Sequence, residues 1–134
     1  MSPQDIVNRM YGEDAFSQWL GIQIVHVDTG SCRLEMTVRE EMCNGFHIAH
    51  GGITYAFADS VLAFASNSLG RQAVSIETSI SHTKAVHVDD RLTGKSELLK
   101  DGRTLAIFQV TVTNQKDEIV ALFKGTVLKH EMWK

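Results

Sequence analysis

A single carboxylate stands in an otherwise uncharged stretch of the sequence. Between residues 51 and 69 the chain contains no Lys, Arg, Glu or His, and Asp59 is the one side chain that is charged at neutral pH. Apolar and small residues recur there at helical spacing and no Pro interrupts them, which predicts a helix that is buried on most sides. Because burial of an unpaired carboxylate is costly and raises its pKa, Asp59 is a candidate general base or nucleophile. The alternative is that Asp59 points to solvent or accepts a hydrogen bond from a backbone amide.

The start of the same helix offers a place for developing negative charge. His50-Gly51-Gly52 opens it, and the free N–H groups of a first helical turn favour an anionic oxygen. Asn44, six residues before His50, could supply a side-chain amide to the same place. Asn44 could equally be a turn residue, and His50 a capping or packing histidine.

The histidines and cysteines of the sequence do not form a second candidate site. His47 with His50, and His82 with His87, lack the third ligand and consistent spacing of a metal centre, so no metal and no cofactor is expected. No His or Asp is placed in the sequence to activate Cys43 as a nucleophile.

Length and composition exclude several function classes. The 134 residues suit one domain, 1–134, with one core, and 43% apolar and 22% charged residues are ordinary for a globular protein. A net charge of −3 gives no basic field for nucleic acid. Neither a signal peptide nor a membrane span is expected, and two cysteines make no disulfide framework. We therefore expect a cytoplasmic protein with free thiols.

The elements that must position Asp59 follow from hydrophobic periodicity and turn signals. Short helices are predicted from Ser2-Pro3 onward and at 14–20. Strands are predicted at 22–27 and 32–38 before the long helix, and at 74–81, 92–99, 105–112 and 119–128 after it, with 92–99 the weakest. This order favours an α+β domain in which one antiparallel sheet of five or six strands wraps round a long central helix. Such a sheet leaves edges to cover, which pairing of two copies would do.

The spacing of these residues resembles a known family. Asn44-Gly45, His50-Gly51-Gly52 and Asp59 together resemble the signature of the hotdog-fold acyl-CoA thioesterases, and more narrowly of those that act in phenylacetic acid degradation. The likeness runs from about residue 19 to residue 128. Relatives carry either Asp or Glu at the helix carboxylate, and this chain is similar to the Asp branch.

The resemblance implies a role for each residue of the motif. Asp59 would activate the attacking water or attack the thioester directly, and the Gly51 amide would polarise the thioester carbonyl. Asn44 and His50 would line the same pocket, and Ser75 would help to hold the water. In this family the site is built between two subunits, with Asp59 and Ser75 facing Asn44 and Gly51 of the other subunit, and two such dimers pair into a tetramer.

Contacts with coenzyme A are implied at the helix start and at the end of the following strand. They involve Gly52, His82, Thr83 and Lys84. Relatives often have Arg-Pro where this chain has Lys84 and Ala85, so Lys84 keeps a charge for a CoA phosphate without the bidentate geometry of Arg.

The function implied by the resemblance is hydrolysis of an acyl-CoA, with an aryl-acetyl or similar acyl group, to free CoA and a carboxylic acid. One alternative is an acyl-CoA hydratase or dehydratase on the same fold, and another is a non-catalytic acyl-CoA binding domain. The hydratase chemistry usually needs a His beside the carboxylate, and the helix of Asp59 contains none.

Overall fold

Six strands form one antiparallel sheet, and a long helix packs against one of its faces. The computed structural model describes residues 1–134. In chain order the helices and strands are α1 Pro3–Gly12, α2 Ala15–Leu20, β1 Gln23–Asp28, β2 Ser31–Thr37, α3 Gly51–Asn67, β3 Arg71–His82, β4 Arg91–Asp101, β5 Leu105–Thr113 and β6 Ile119–Met132, with a 3-10 turn at Glu40–Met42.

The sheet has the strand order β1-β2-β4-β5-β6-β3, and every neighbouring pair is antiparallel. The predicted α+β class is therefore confirmed, and the strand count is six. The strand expected to be weakest is a full interior strand, because Arg91–Asp101 pairs with β2 on one side and β5 on the other. A strand held on both sides needs less intrinsic β-propensity than one at an edge.

Helix α3 supplies much of the core, as its uncharged sequence predicts. Phe57, Val61 and Phe64 have no exposed surface, and Leu62 almost none. Two strand glycines let the helix come this close to the sheet. A Cβ on Gly94 would lie 2.7 Å from Cγ2 of Val61, and a Cβ on Gly125 would lie closer still to Leu62.

Strand β3 is an edge strand in which a bulge interrupts the alternation of inward and outward side chains. It pairs only with β6, and its register shifts between Ser75 and Glu77. Simple alternation puts Val74, Ile76 and Thr78 on one face, yet Val74 and Ile76 are 53% and 56% exposed. The bulge turns Ser75 and Thr78 towards the helix and leaves Val74 and Ile76 largely exposed.

The local signals at the helix ends are found where the sequence predicts them. Ser2 and Asp5 form a reciprocal capping box at the start of α1. Gly21, with a φ of 74°, ends α2 in the left-handed conformation. No helix of the chain has the length and apolar character to cross a membrane.

Candidate active site

Strand β3 runs antiparallel to α3. Three helix residues that are four positions apart, Gly51, Tyr55 and Asp59, lie along the inward face of the strand. Gly51 lies against the imidazole of His82, because a Cβ built on Gly51 would be 3.2 Å from its Nε2 atom. The hydroxyl of Tyr55 hydrogen-bonds that of Thr78. One turn further along the helix, Asp59 lines a cavity that Ser75 of β3 also lines. Helix α3 and edge strand β3 therefore contribute the side chains of the candidate site.

The carboxylate of Asp59 is half-buried and has no partner within the chain. It lines a cavity of about 260 Å³, with Ser75 and an apolar wall formed by Leu62, Ala63, Ala73, Val74 and Val127. No hydrogen bond or salt bridge reaches Asp59, so the alternative of a carboxylate bound to a backbone amide is not found. Burial raises the pKa of Asp59 above its ordinary value.

The helix start presents free backbone donors. His50 is the N-cap residue, but its side chain makes no capping bond and is exposed, so the capping alternative for His50 is wrong. Gly51 and Gly52 are also exposed, and the first amide of the turn that binds within the chain is that of Ile53, at 2.9 Å from the His50 carbonyl. The Gly51 and Gly52 amides remain available to a ligand.

Asn44 organises the loop before the helix. Its Oδ1 accepts hydrogen bonds from the amides of Phe46 at 2.9 Å and Ile48 at 3.3 Å. The turn role that the sequence left open for Asn44 is therefore present. Its Nδ2 group donates to no protein acceptor, so these N–H bonds remain unpaired within the chain.

A second cavity, of about 400 Å³, lies at the helix start. Gly51, Thr54, His82, Thr83 and Lys84 are among its lining residues. The Thr83 hydroxyl donates to the carbonyl of Ile119 at 2.8 Å, and Lys84 Nζ lies 3.3 Å from Oε2 of Glu118. Two of the residues predicted to contact CoA therefore have intramolecular partners in the free protein, whereas His82 has none.

The two cavities are separate within one chain. Gly51 and Asp59 are eight residues apart on one helix, which is roughly 12 Å along its axis. The hydrogen bond between Tyr55 and Thr78 lies between them. A carbonyl bound to the Gly51 amide is thus out of reach of a water held by Asp59 of the same chain.

Tyr55 and Thr78 were not among the residues selected from the sequence. The spacing of Gly51, Tyr55 and Asp59 is the signal that could have indicated Tyr55, since residues four apart share a helix face. Thr78 could not be found in the same way, because the bulge decides which face it takes.

The cysteines and histidines form no competing centre. Cys32 and Cys43 are both free thiols, and burial raises the pKa of Cys32 to about 12. Cys43 is half-buried, with its Sγ 3.7 Å from the carbonyl of Arg39. No three His, Cys, Asp or Glu side chains come together in an arrangement that could hold a metal ion.

Comparison with known proteins identifies the family of this site. A sequence profile described as the thioesterase superfamily matches residues 46–121, which include the helix start, Asp59 and Ser75. The chain belongs to the thioesterase superfamily. The resemblance inferred from the motif of Asn44, Gly51 and Asp59 is thereby confirmed, and so is the hotdog fold.

Two relatives extend the comparison over nearly the whole chain. Acyl-coenzyme A thioesterase PaaI of Escherichia coli K12 is 34% identical over 116 residues, covering 87% of this chain and 83% of that protein. The solved structure of E. coli PaaI, from the phenylacetic acid degradation operon, superposes with a TM-score of 0.94 at 31% identity, over 97% of this chain and 94% of the other. Human acyl-coenzyme A thioesterase 13 is 28% identical, over 85% of this chain and 84% of that protein.

A third relative was solved with coenzyme A. It is a thioesterase protein of Streptococcus pneumoniae TIGR4, with a TM-score of 0.89 and 28% identity over 94% of this chain and 98% of the other. Alanine variants of that protein were also solved, at an aspartate and at a threonine whose positions differ by 16. Asp59 and Ser75 are separated by the same interval.

Proposed function

We propose that this protein hydrolyses an acyl-CoA thioester to free coenzyme A and a carboxylic acid. The observation that carries the proposal is the unpaired, half-buried carboxylate of Asp59 at an apolar cavity, in a member of the thioesterase superfamily. Named relatives that are acyl-CoA thioesterases, and one that was solved with coenzyme A, support the same substrate class.

Asp59 supplies the proton acceptor or the nucleophile. In the first route it takes a proton from a water whose oxygen attacks the thioester carbonyl carbon, and the Ser75 hydroxyl helps to hold that water. In the second route its own oxygen attacks, and water then hydrolyses the mixed anhydride. In both routes the C–S bond breaks, the CoA sulfur leaves with the bonding electron pair and takes up a proton, and the acyl group leaves as a carboxylic acid.

The carbonyl oxygen binds at the helix start. The free amide of Gly51 and the positive end of the helix favour the negative charge that develops on this oxygen. Asn44 and His50 are not among the residues that line the Gly51 cavity of one chain, but the free Nδ2 group of Asn44 and the exposed imidazole of His50 lie just before Gly51 in the sequence and would approach the same oxygen from the preceding loop. These donors act on the oxygen while Asp59 acts on the opposite side of the carbonyl carbon.

Two subunits complete each site. Strand β3 has one unpaired edge, with Val74 and Ile76 exposed beside it. If two copies pair antiparallel along this edge, the Ser75 end of one strand meets the His82 end of the other. The Asp59 cavity of one subunit then faces the helix start of its partner, which removes the separation found within one chain. Two such dimers pair into a tetramer.

The acyl group occupies the apolar cavity beside Asp59. Its volume of about 260 Å³ and its walls of Leu62, Ala63 and Val127 suit a compact apolar acyl group such as phenylacetyl. We propose a phenylacetyl-type ester as the substrate, with a cytoplasmic role in phenylacetate degradation.

The CoA portion lies in the cavity at the helix start. Gly52, which the sequence also predicts to contact CoA, is not among the lining residues of this cavity, whereas its neighbour Gly51 is. His82, Thr83 and Lys84 form the other wall, and Lys84 exchanges its exposed partner Glu118 for a CoA phosphate. The exchange costs little, since an ion pair exposed to solvent contributes little to stability.

Release of free thiol from a panel of acyl-CoAs, measured with wild type and Asp59→Asn side by side, tests the proposal. Hydrolysis by wild type alone, fastest with phenylacetyl-type esters, is the expected result. An Asp59→Asn protein with wild-type turnover would contradict the assignment of Asp59. Binding of all esters without thiol release would favour the binding domain, and water addition to an enoyl-CoA would favour the hydratase.

A further inference from the structure

We infer that His82 is a second hydrogen-bond donor to the thioester carbonyl oxygen, acting beside the Gly51 amide. The inference rests on the proposed function and gives His82 a part in the chemistry that differs from contact with the CoA chain. It is drawn from the position of the imidazole, its lack of partners and the cavity that it shares with Gly51.

The upper limit on the separation of the two donor nitrogens is compatible with one shared oxygen atom. A Cβ on Gly51 would lie 3.2 Å from Nε2 and 3.4 Å from Cε1 of His82. Since a Cβ is about 2.5 Å from the amide nitrogen of its own residue, Nε2 lies within roughly 5.7 Å of the Gly51 nitrogen. One oxygen that accepts from two donors at about 2.9 Å can bridge nitrogens up to roughly 5.8 Å apart.

The backbone of β3 directs His82 to this position. His82 pairs with Ala121 of β6, and Ala121 is fully buried, so both side chains are on the inward face of the sheet. At this end of the sheet the inward face meets the first turn of α3, and Gly51 leaves the room that the imidazole fills. A Cβ at position 51 would contact the ring closely and displace it by a few tenths of an ångström.

Among the side chains that line the cavity at the helix start, His82 has an N–H group with no acceptor within the chain. Its neighbour Thr83 donates its hydroxyl to Ile119, and Lys84 pairs with Glu118. The imidazole of His82 makes no hydrogen bond and no ion pair with the protein. The Nε2–H form of the neutral ring and the imidazolium both donate from Nε2, so the proposed bond requires no change of charge.

Kinetics separates this role from simple CoA binding. Loss of one oxyanion donor lowers kcat by about 10²–10³-fold. His82→Phe keeps an aromatic ring over Gly51 but removes the N–H group, so kcat should fall in this range with KM within a few-fold of wild type. His82→Gln, which restores an N–H donor, should recover part of kcat. His130→Phe, at an exposed histidine outside both cavities, is the matched control.

A second readout does not depend on turnover. The probe is a ketone analogue of phenylacetyl-CoA in which CH₂ replaces the thioester sulfur and ¹³C labels the carbonyl. Its infrared carbonyl frequency falls as hydrogen bonds to the oxygen strengthen. The frequency should be lower when the analogue is bound to wild type or His130→Phe than when it is bound to His82→Phe.

The outcomes distinguish this inference from the proposed function. Equal carbonyl frequencies, or an unchanged kcat in a folded His82→Phe protein, would overturn the role of His82 while hydrolysis by wild type stands. A raised KM with unchanged kcat would also overturn it and would make His82 a CoA contact. If wild type hydrolysed no ester, the proposed function would fail, and the carbonyl frequency would still decide whether His82 binds the oxygen.

Discussion

Tyr55 and Thr78 hydrogen-bond to each other through their side-chain hydroxyls, midway between the carboxylate of Asp59 and the helix start at Gly51. The bond joins the central helix to the edge strand at the point where the two cavities of one chain are separated. The ring of Tyr55 also packs edge-on against Phe123 of β6, with ring centroids 5.5 Å apart. The pair therefore holds β3 at one position along the axis of α3. The placement of Ser75 beside Asp59 depends on that position.

Removing either hydroxyl of this pair should destabilise the fold. We expect Tyr55→Phe and Thr78→Val each to lower the free energy of unfolding by about 0.5–1.5 kcal/mol. The double variant should lose little more than the larger single loss, because the second change removes a group that is already without its partner. Urea unfolding of the four proteins measures this coupling, and full additivity would contradict it.

Asp59 and Ser75 should differ in how much activity they support. Asp59→Asn should lower kcat by about 10²–10⁴-fold, the range for loss of a general base. Ser75→Ala removes one hydrogen bond to the water and should cost about tenfold. Ser75→Thr keeps a hydroxyl at this place and is the control that should stay close to wild type. A loss in Ser75→Thr as large as that in Ser75→Ala would show that the hydroxyl is not the feature that matters.

The raised pKa of Asp59 determines how the free energy of unfolding changes with pH. Burial favours the protonated form, so the native state binds more protons than the unfolded chain between the ordinary and the raised pKa. Stability conferred by this group is therefore present at low pH and is lost as pH rises through the raised value. Asp59→Asn should be more stable than wild type at neutral pH, and the difference should shrink as pH falls from the raised pKa towards the ordinary pKa of an aspartate.

Thermal unfolding across pH measures this difference. Asp89→Asn, which removes an exposed carboxylate outside both cavities, is the control for the substitution itself. Activity should follow the opposite course, since the ionised carboxylate is the reactive form. The acid limb of the kcat/KM profile should therefore lie above the usual range of an aspartate. A less stable Asp59→Asn protein at neutral pH would contradict the desolvation of this carboxylate.

Two strand glycines should tolerate no side chain. Gly94→Ala would place a methyl group 2.7 Å from Val61, and Gly125→Ala would crowd Leu62 even more. Each should lower the free energy of unfolding by about 1–3 kcal/mol through overpacking of the core. Gly12→Ala, where a Cβ meets nothing within 4 Å, is the control and should cost nothing measurable. Equal effects at Gly12 and Gly125 would show that backbone freedom, rather than contact with the helix, is the cause.

The sequence predicted those parts of the fold that depend on local periodicity. The uncharged run around Asp59 predicted the end of the central helix to within two residues, and the strand predicted at 105–112 is found at Leu105–Thr113. The contact between Gly51 and His82 spans 31 residues of sequence, and no local pattern contains it. The bulge at Ser75 likewise depends on the pairing of β3 with β6, so the inward position of Ser75 was known only from the family resemblance.

Subunit mixing should reveal whether each site is shared. Asp59→Asn and Asn44→Ala disable opposite halves of the proposed site, and each protein alone should be nearly inactive. In a mixed dimer one site receives both substitutions, but the other receives an intact Asp59 from one chain and an intact Asn44 from the other. Dissociating and reassociating the two proteins together should therefore restore about half of the wild-type activity to each mixed dimer. No recovery, with mixed dimers verified by differential tagging, would mean that one chain contains the whole site, despite the separation of roughly 12 Å along α3 between Gly51 and Asp59.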